Sequence, residues 1–314
     1  MGSQRHKPRL ISYGGLIRIV VTGALGHIGS KLIRRLPECE LILIDNLQTQ
    51  AYYSLFDLDR PHKFINEDIL TAKLLKIFDG ADAVIHLAAI VDPEKSYDQK
   101  ELVEQVNVEG TRRVAEACLE VGCPMIFAST TSVYGVQEDE VDENCTTLAP
   151  QSPYAVSKIT SENILRELGS KGLYFTILRM GTIFGISKGM RFHTAVNRFC
   201  FQAAIGQPIT VWKTAINQNR PYLDLDDMVR TVDFILAKNL FTNEVYNLVT
   251  VNTTVGNIID IIKKQIPDLS INYVDTRIMS QLSYTISNKK FRDLGFQFKG
   301  NIEQGITDTL ELLA

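Results

Sequence analysis

A tyrosine and a lysine four residues apart, in Tyr154-Ala-Val-Ser-Lys158, open a stretch of helical period from Pro153 to Gly169. On a helix this spacing puts both side chains on one face, about one turn apart, so an ammonium can lie beside a phenol. A phenol near pKa ~10 is a poor base at neutral pH. Positive charge from Lys158, and from any cationic group bound beside it, would lower it and make Tyr154 a general base or acid. Three hydroxyls, Thr130, Thr131 and Ser132, follow an apolar run from Pro124 to Ser129. At the C-terminal edge of a parallel sheet, where α/β folds bind ligands, such a hydroxyl can hold a reacting oxygen beside Tyr154. Thr and Ser clusters also satisfy turn backbone, and that use stays open for any one of the three.

A second set of residues suits a dinucleotide. The first apolar run ends at Val21-Thr22 and passes into Gly23-Ala-Leu-Gly26-His-Ile-Gly29. Glycines at these positions serve a tight turn, close approach of a pyrophosphate to backbone N–H groups, and packing of a helix on its strand. Three glycines alone would fit many turns. The next apolar run, Leu41 to Asp45, ends on an acid about twenty residues further on, where a carboxylate accepts from both ribose hydroxyls and repels a 2′-phosphate. This favours NAD over NADP as the cofactor.

These groups need a scaffold, and the chain supplies the pattern of one. From Ile17, short apolar runs alternate with segments of helical period, which predicts βαβ units and a parallel sheet. Strands are expected at Ile17–Thr22, Leu41–Asp45, Ala83–Leu87, Pro124–Ser129 and Leu173–Arg179. Helices are expected at Ile28–Leu36, where Ile28, Leu32 and Leu36 share a face, at Glu101–Val121 and at Pro153–Gly169. After Gly185 the alternation weakens into a helix Thr194–Ile205, a strand Ile209–Trp212, a helix Asp226–Leu240 and a strand Glu244–Leu248. Two helical stretches around a short strand, Ser270–Val274, close the chain. The expected fold class is therefore α/β, a Rossmann-type doubly wound parallel sheet with a smaller C-terminal substrate-binding lobe. Its domains would be 16–185, with 222–250 returning to it, and a lobe of 186–221 and 251–314, after a flexible extension of 1–15.

Taken together, the segments resemble the extended short-chain dehydrogenase/reductase family, in its UDP-glucose 4-epimerase-like group of nucleotide-sugar epimerases and dehydratases. The resemblance rests on Thr22 to Gly29, Asp45-Asn46-Leu47, Asp68-Ile69, His86-Leu-Ala-Ala89, Asn107, Ser129 to Gly135 and Pro153 to Lys158. In the second half it rests on Met190-Arg-Phe, Asn197, Gln218 to Tyr222, Val245-Tyr-Asn247 and Phe291 to Phe296. It implies an NAD site drawing on Gly23, Gly26, His27, Ile28, Gly29, Asp45, Asn46, Asp68, Ile69, Leu87, Ala88, Ala89 and Asn107, with Tyr154 and Lys158 at its reactive end. It implies Thr130 as the hydroxyl partner of Tyr154. For a nucleotide-diphosphate sugar it implies contacts from Thr131, Ser132, Thr182, Asn197 and Arg220, the last reading diphosphate oxygens. Trp212 would flank a nucleobase or simply pack. Relatives of this kind pair through the helices Glu101–Val121 and Pro153–Gly169, which implies a homodimer.

Departures from that pattern narrow the chemistry. The 4,6-dehydratases place an acid after the catalytic threonine, whereas Thr131 and Ser132 stand here. Galactose epimerases follow Leu-Arg with Tyr-Phe-Asn, whereas Leu178-Arg179 precedes Met180-Gly181-Thr182. The leading expectation is a nucleotide-sugar 4-epimerase working through a transient 4-keto sugar. A 4-dehydrogenase or 4-keto reductase would use the same residues; a 4,6-dehydratase and a silent NAD-sensing scaffold rank lower. Loops at Ile186–Arg198 and Asp275–Tyr284 are expected to choose the sugar.

Composition excludes several other classes. The 314 residues carry 33 basic and 36 acidic side chains, a net charge of -3 spread along the chain, unlike a nucleic-acid surface. Cys39, Cys118, Cys123, Cys145 and Cys200 have no Cys-x-x-Cys spacing, and the five histidines have no metal-ligand spacing, so reduced thiols and no metal are expected. No apolar run in Met1–Gly15 suits a signal peptide or a membrane span, and a cytoplasmic location is expected.

Overall fold

The computed structural model describes residues 17–275 and 284–314. Residues 1–15, read as an extension, and most of the loop expected at 275–284 lie outside the described residues. The strands are β1 (Ile17–Thr22), β2 (Cys39–Asp45), β3 (His62–Asn66), β4 (Ala83–His86), β5 (Met125–Thr130), β6 (Phe175–Met180), β7 (Thr182–Phe184), β8 (Ile209–Trp212), β9 (Asn219–Asp224), β10 (Glu244–Leu248), β11 (Val251–Thr254) and β12 (Ile271–Val274). The helices are α1 (His27–Arg35), α2 (Leu74–Phe78), α3 (Lys100–Val103), α4 (Gly110–Val121), α5 (Pro153–Ser170), α6 (Ala195–Ala204), α7 (Leu225–Lys238), α8 (Val255–Gln265), α9 (Lys289–Asp293) and α10 (Ile302–Leu313).

Seven parallel strands form the main sheet in the order β10-β6-β5-β4-β1-β2-β3. The order reverses direction between β1 and β4, so a crevice opens beyond their C-terminal ends, the ligand position of doubly wound sheets. Central strands covered on both faces need apolar side chains at nearly every position. β1 and β4 show this, with Val20, Val21, Val84 and Ile85 all buried. One face packs against α1 and α7 through residues such as Leu32 and Val229. The other packs against α4 and α5 through Val114 and Leu165. A separate apolar cluster around Phe199, Ile258 and Ile306 holds α6, α8 and α10 together beside two small sheets, β11-β9-β7 and β12-β8.

The elements that carry the Tyr154–Lys158 pair are well terminated. Ser152 caps α5 by accepting from Ala155 N at 3.2 Å, and Pro153 occupies the first turn, where no intrahelical N–H bond is lost. Asp224 caps α7 by accepting from Asp226 N at 2.7 Å.

Four differences from the sequence expectation have physical causes. The single helix expected at Glu101–Val121 is interrupted by a π-helical segment, Glu104–Glu109. There Asn107 turns its amide onto the backbone of Ile90, with Ile90 N donating at 2.8 Å and Asn107 Nδ2 donating to Ile90 O at 3.0 Å. β3 went unread because it is a half-exposed edge strand with a weak apolar pattern. β7 and β11 are short, and all of β7, β9 and β11 carry polar residues such as Thr182, Asn219 and Asn252. The last helical stretch divides into α9 and α10, separated by Gly295 and Gly300.

Candidate active site

A cavity of about 660 Å³ extends from the first glycine turn, past the end of β5, to β8 and β9. Its volume suits a drug-sized or cofactor-sized ligand.

At one end the glycines do different work. Gly23 has φ +66°, and a Cβ there would stand 2.6 Å from the backbone N of Ala88, so β1 and the segment after β4 could not approach as they do. A Cβ at Gly29 would stand 2.5 Å from Ala24 O, so this glycine seats α1 on the turn. Gly26 is different: a Cβ there would meet only Gly23 O, at 3.4 Å, leaving the backbone open to an approaching phosphate. Asp45, at the tip of β2, holds the same turn, accepting from Leu25 N at 3.1 Å and from Leu47 N at 2.9 Å. Asn46 Nδ2 donates to Asp68 Oδ2 at 2.8 Å, which ties the ends of β2 and β3. His27, Ile28, Asp68, Ile69, Leu87, Ala88 and Ala89 also line this end. An open helix N-terminus for phosphates with a carboxylate for ribose hydroxyls is a donor set that fits a dinucleotide.

Asn107 does not line the cavity. It is buried, and its amide is taken up by Ile90 and by Ser157 Oγ at 3.0 Å, so it braces the segment after β4 against α5.

At the centre, Tyr154 is partly buried and lines the cavity with Thr130, Thr131 and Ser132. Burial pushes the Tyr154 phenol up to about 12, and a hydrogen bond with Thr130 acts in the opposite direction. Thr130 Oγ1 also lies 3.2 Å from Ser132 Oγ, while Thr131 Oγ1 donates to Met180 O at 3.3 Å. Lys158 lies under Tyr154 rather than on the cavity wall. Its Nζ donates to Ala128 O at 2.8 Å and lies 5.9 Å from the centre of the Tyr154 ring. Burial pulls Lys158 down to about 7, with Glu162 acting to raise it. The expectation that Lys158 lowers the phenol is therefore corrected in part. Desolvation dominates at both groups, and the ammonium is fully charged only below neutrality.

At the far end, Thr182, Arg220 and Trp212 line the cavity. Arg220 Nη2 donates to Gln218 Oε1 at 3.2 Å. Asn197 is buried behind the wall, its Nδ2 3.5 Å from His27 Nε2, so it joins α6 to the glycine turn. Arg191, His193 and Arg198 line the cavity here and fall in the Ile186–Arg198 loop expected to choose the sugar, though none was singled out as a site residue; Glu162 and Arg179 beneath Lys158 were given no role. Glu162 was findable: it is four residues beyond Lys158, on the face α5 buries.

A doubly wound sheet with a glycine-opened helix, a strand-end acid and a Tyr–Lys pair in one cavity defines a dinucleotide-dependent enzyme of Rossmann type. The sequence pattern of the NAD dependent epimerase/dehydratase family matches residues 19–248, and the chain belongs to that family, within the extended short-chain dehydrogenase/reductase group. It is 32% identical over 247 residues to an uncharacterized UDP-glucose epimerase of Bacillus subtilis (strain 168), covering 74% of this chain and 76% of that one. It is 27% identical over 315 residues to a trifunctional UDP-glucose 4,6-dehydratase/UDP-4-keto-6-deoxy-D-glucose 3,5-epimerase/UDP-4-keto-L-rhamnose-reductase of Arabidopsis thaliana. That match covers 93% of this chain but spans only 46% of the plant protein. Among solved structures, the UDP-glucuronic acid 4-epimerase of Bacillus cereus, in complex with UDP-glucuronic acid and NAD, superposes with a TM-score of 0.83 at 27% identity. That superposition covers 95% of this chain and all of the other.

Proposed function

We propose that this chain is an NAD-dependent 4-epimerase of a nucleotide-diphosphate sugar. The observation that carries the reading is the content of the wall around Tyr154: Thr130 beside it, and hydroxyls, not an acid, at Thr131 and Ser132. Removal of water from the sugar would need a proton donor at that wall, and neither hydroxyl is acidic enough to serve. The relatives include dehydratases, and the hydroxyls of this wall are what favour epimerisation in the present reading.

Gly23, Gly26, Gly29, Asp45, Asn46, Asp68, Ile69 and Leu87–Ala89 would hold NAD, which supplies the hydride acceptor for the sugar carbon and a positive charge near Tyr154. Tyr154 accepts the proton of the C4 hydroxyl and later returns it. Thr130 fixes that oxygen against the phenol, and Lys158 steadies the phenolate from below. Arg220 meets the diphosphate, so the sugar is tethered by its nucleotide while its ring turns over. Thr131, Ser132 and Thr182 offer hydroxyls to the sugar, and Asn197 supports the wall behind it. We further propose a homodimer through α4 and α5, with Val156 of α5 and Leu102 of α3 exposed on that side.

The test is incubation with a panel of UDP-, dTDP-, GDP- and CDP-sugars while nicotinamide absorbance and product configuration are followed together. A C4 epimer forming without accumulation of NADH is expected. NADH appearing in proportion to substrate would replace this reading with a 4-dehydrogenase, and loss of water from the sugar would replace it with a dehydratase.

A further inference from the structure

Beneath the Tyr154–Lys158 pair lies a charged residue that the reaction above does not use. Tyr154, Lys158 and Glu162 follow one another at four-residue steps on α5, which stacks them along one face. That face lies on the end of β5. Lys158 Nζ reaches Ala128 O at 2.8 Å and Ser129 Oγ donates to Glu162 Oε1 at 2.6 Å, while Tyr154 lines the same wall as Thr130. Two successive residues of β5 are thus gripped by two successive turns of α5.

Glu162 is fully buried and takes four donors. Besides Ser129, Arg179 donates through Nε at 3.0 Å and Nη2 at 2.7 Å, and Arg166 Nη2 donates at 3.0 Å. Arg179 stands opposite Ser129 in the β5–β6 register, so the carboxylate closes a clamp over both strands. Such a buried ion pair is a poor source of stability, because apolar residues of like volume often serve as well. Its place one turn from Lys158 points to the site instead.

We propose that Glu162 is a positioning residue for the reaction, holding Lys158 in its charged form and pinning the Thr130 end of β5 against α5. The groups facing Lys158 are Tyr154 and Glu162 from its own helix, His86 from β4, and Ala128 O and the Phe127 ring from β5, with Arg179 of β6 behind Glu162. His86 is held neutral, down at about 3, by burial and by Lys158. Glu162 is therefore the sole anion among these groups, and it offsets the desolvation that drives Lys158 toward neutrality.

The inference relies on the epimerase reading only for what Lys158 does, and its test needs no sugar. The full chain loaded with NAD is labelled with [13Cε]lysine, and the Lys158 signal, assigned by its loss in Lys158→Met, is titrated by NMR. In Glu162→Gln the midpoint is expected to fall by about one pH unit, a tenfold change in equilibrium. Glu162→Asp, which keeps the charge, is expected to restore most of it. If the unpaired Arg179 prevents Glu162→Gln from folding, Glu162→Gln/Arg179→Met removes both charges and is expected to shift the midpoint in the same direction by less. With a substrate in hand, kcat is expected to fall at least tenfold in Glu162→Gln with KM nearly unchanged. An unmoved Lys158 titration in the folded variants overturns the inference. A moved titration in a protein that epimerises no nucleotide sugar upholds it and overturns the proposed function alone.

Discussion

In the proposed reaction Tyr154 is the residue that moves the proton, and the protein alone keeps it a phenol. Burial raises it to about 12, so at neutral pH it starts as an acid and becomes a base only when positive charge is brought beside it. The pair first picked out by spacing is thus two groups moved by the same desolvation, the tyrosine up and the lysine down to about 7. General acid–base groups contribute about 10²–10⁴-fold in rate. Tyr154→Phe is accordingly expected to lower epimerisation by at least about 100-fold while leaving NAD content and KM nearly unchanged. Retained activity in Tyr154→Phe would move the proton-transfer role to another group on the wall, and Thr130 would be the first to examine.

Between β7 and α6 a short strap lies across the glycine turn; the sequence marked its loop as one that chooses the sugar but gave no sign of these contacts. Ser187 Oγ meets His27 Nδ1 at 2.7 Å, Gly189 N donates to Ser30 Oγ at 2.8 Å, and Lys188 pairs with Asp57 at 3.2 Å. A Cβ on Gly189 would lie 2.6 Å from Gly26 O and nearer still to Leu25 O, both backbone atoms unable to swing aside. Gly189→Ala must therefore lift the strap from the turn that is to hold the cofactor's phosphates. Overpacking of this kind costs about 1–3 kcal/mol. Exchange of bound NAD against labelled NAD is expected to speed up by roughly tenfold or more, at about 1.4 kcal/mol per tenfold. Ser187→Ala should give a smaller increase, and equal exchange rates in both variants and the parent would show the strap to be irrelevant to retention. The contrast with what the sequence did reveal is instructive. β1, β2, β4, β5 and β6 were legible because buried parallel strands carry continuous apolar runs, and α5 because Ser152-Pro153 opens it. The strap and the π-helical turn were not, since Ser187, Gly189 and Asn107 act through residues far away in sequence, and local periodicity carries no record of such partners. Glu162 falls between: its spacing was visible, but only Arg179 on β6 shows why a carboxylate can be buried there.

The fold as a whole keeps three imidazoles neutral, and this gives the entire chain a pH dependence. His86, between Thr22 Oγ1 at 2.7 Å and Thr111 Oγ1 at 3.1 Å, is lowered to about 3 by burial and by Lys158. His27 and His193 are each lowered to about 4, first by burial and then by neighbouring cations and, for His27, by His193 itself. The unfolded chain protonates all three below about 6.5, whereas the folded chain does not until about 4 or 3, so their contribution to stability is present above 6.5 and is lost as pH falls. Asp233 works the other way. Burial raises it to about 6 from 3.8, so between those values the folded state holds a proton that the unfolded state releases. Between pH 6 and 5 these four groups together take up about two protons on unfolding, or about 2.7 kcal/mol of stability lost per pH unit, with the raised carboxyls of Glu143 and Asp224 acting against it. For a chain of this size that corresponds to roughly 5 °C or more in Tm. Calorimetric scans at pH 7, 6 and 5 should show this fall, and His86→Asn, which removes one of the three groups, should reduce the pH 6-to-5 slope by about half. A Tm that stays level across that interval would mean that the imidazoles meet partners able to charge them in the folded state.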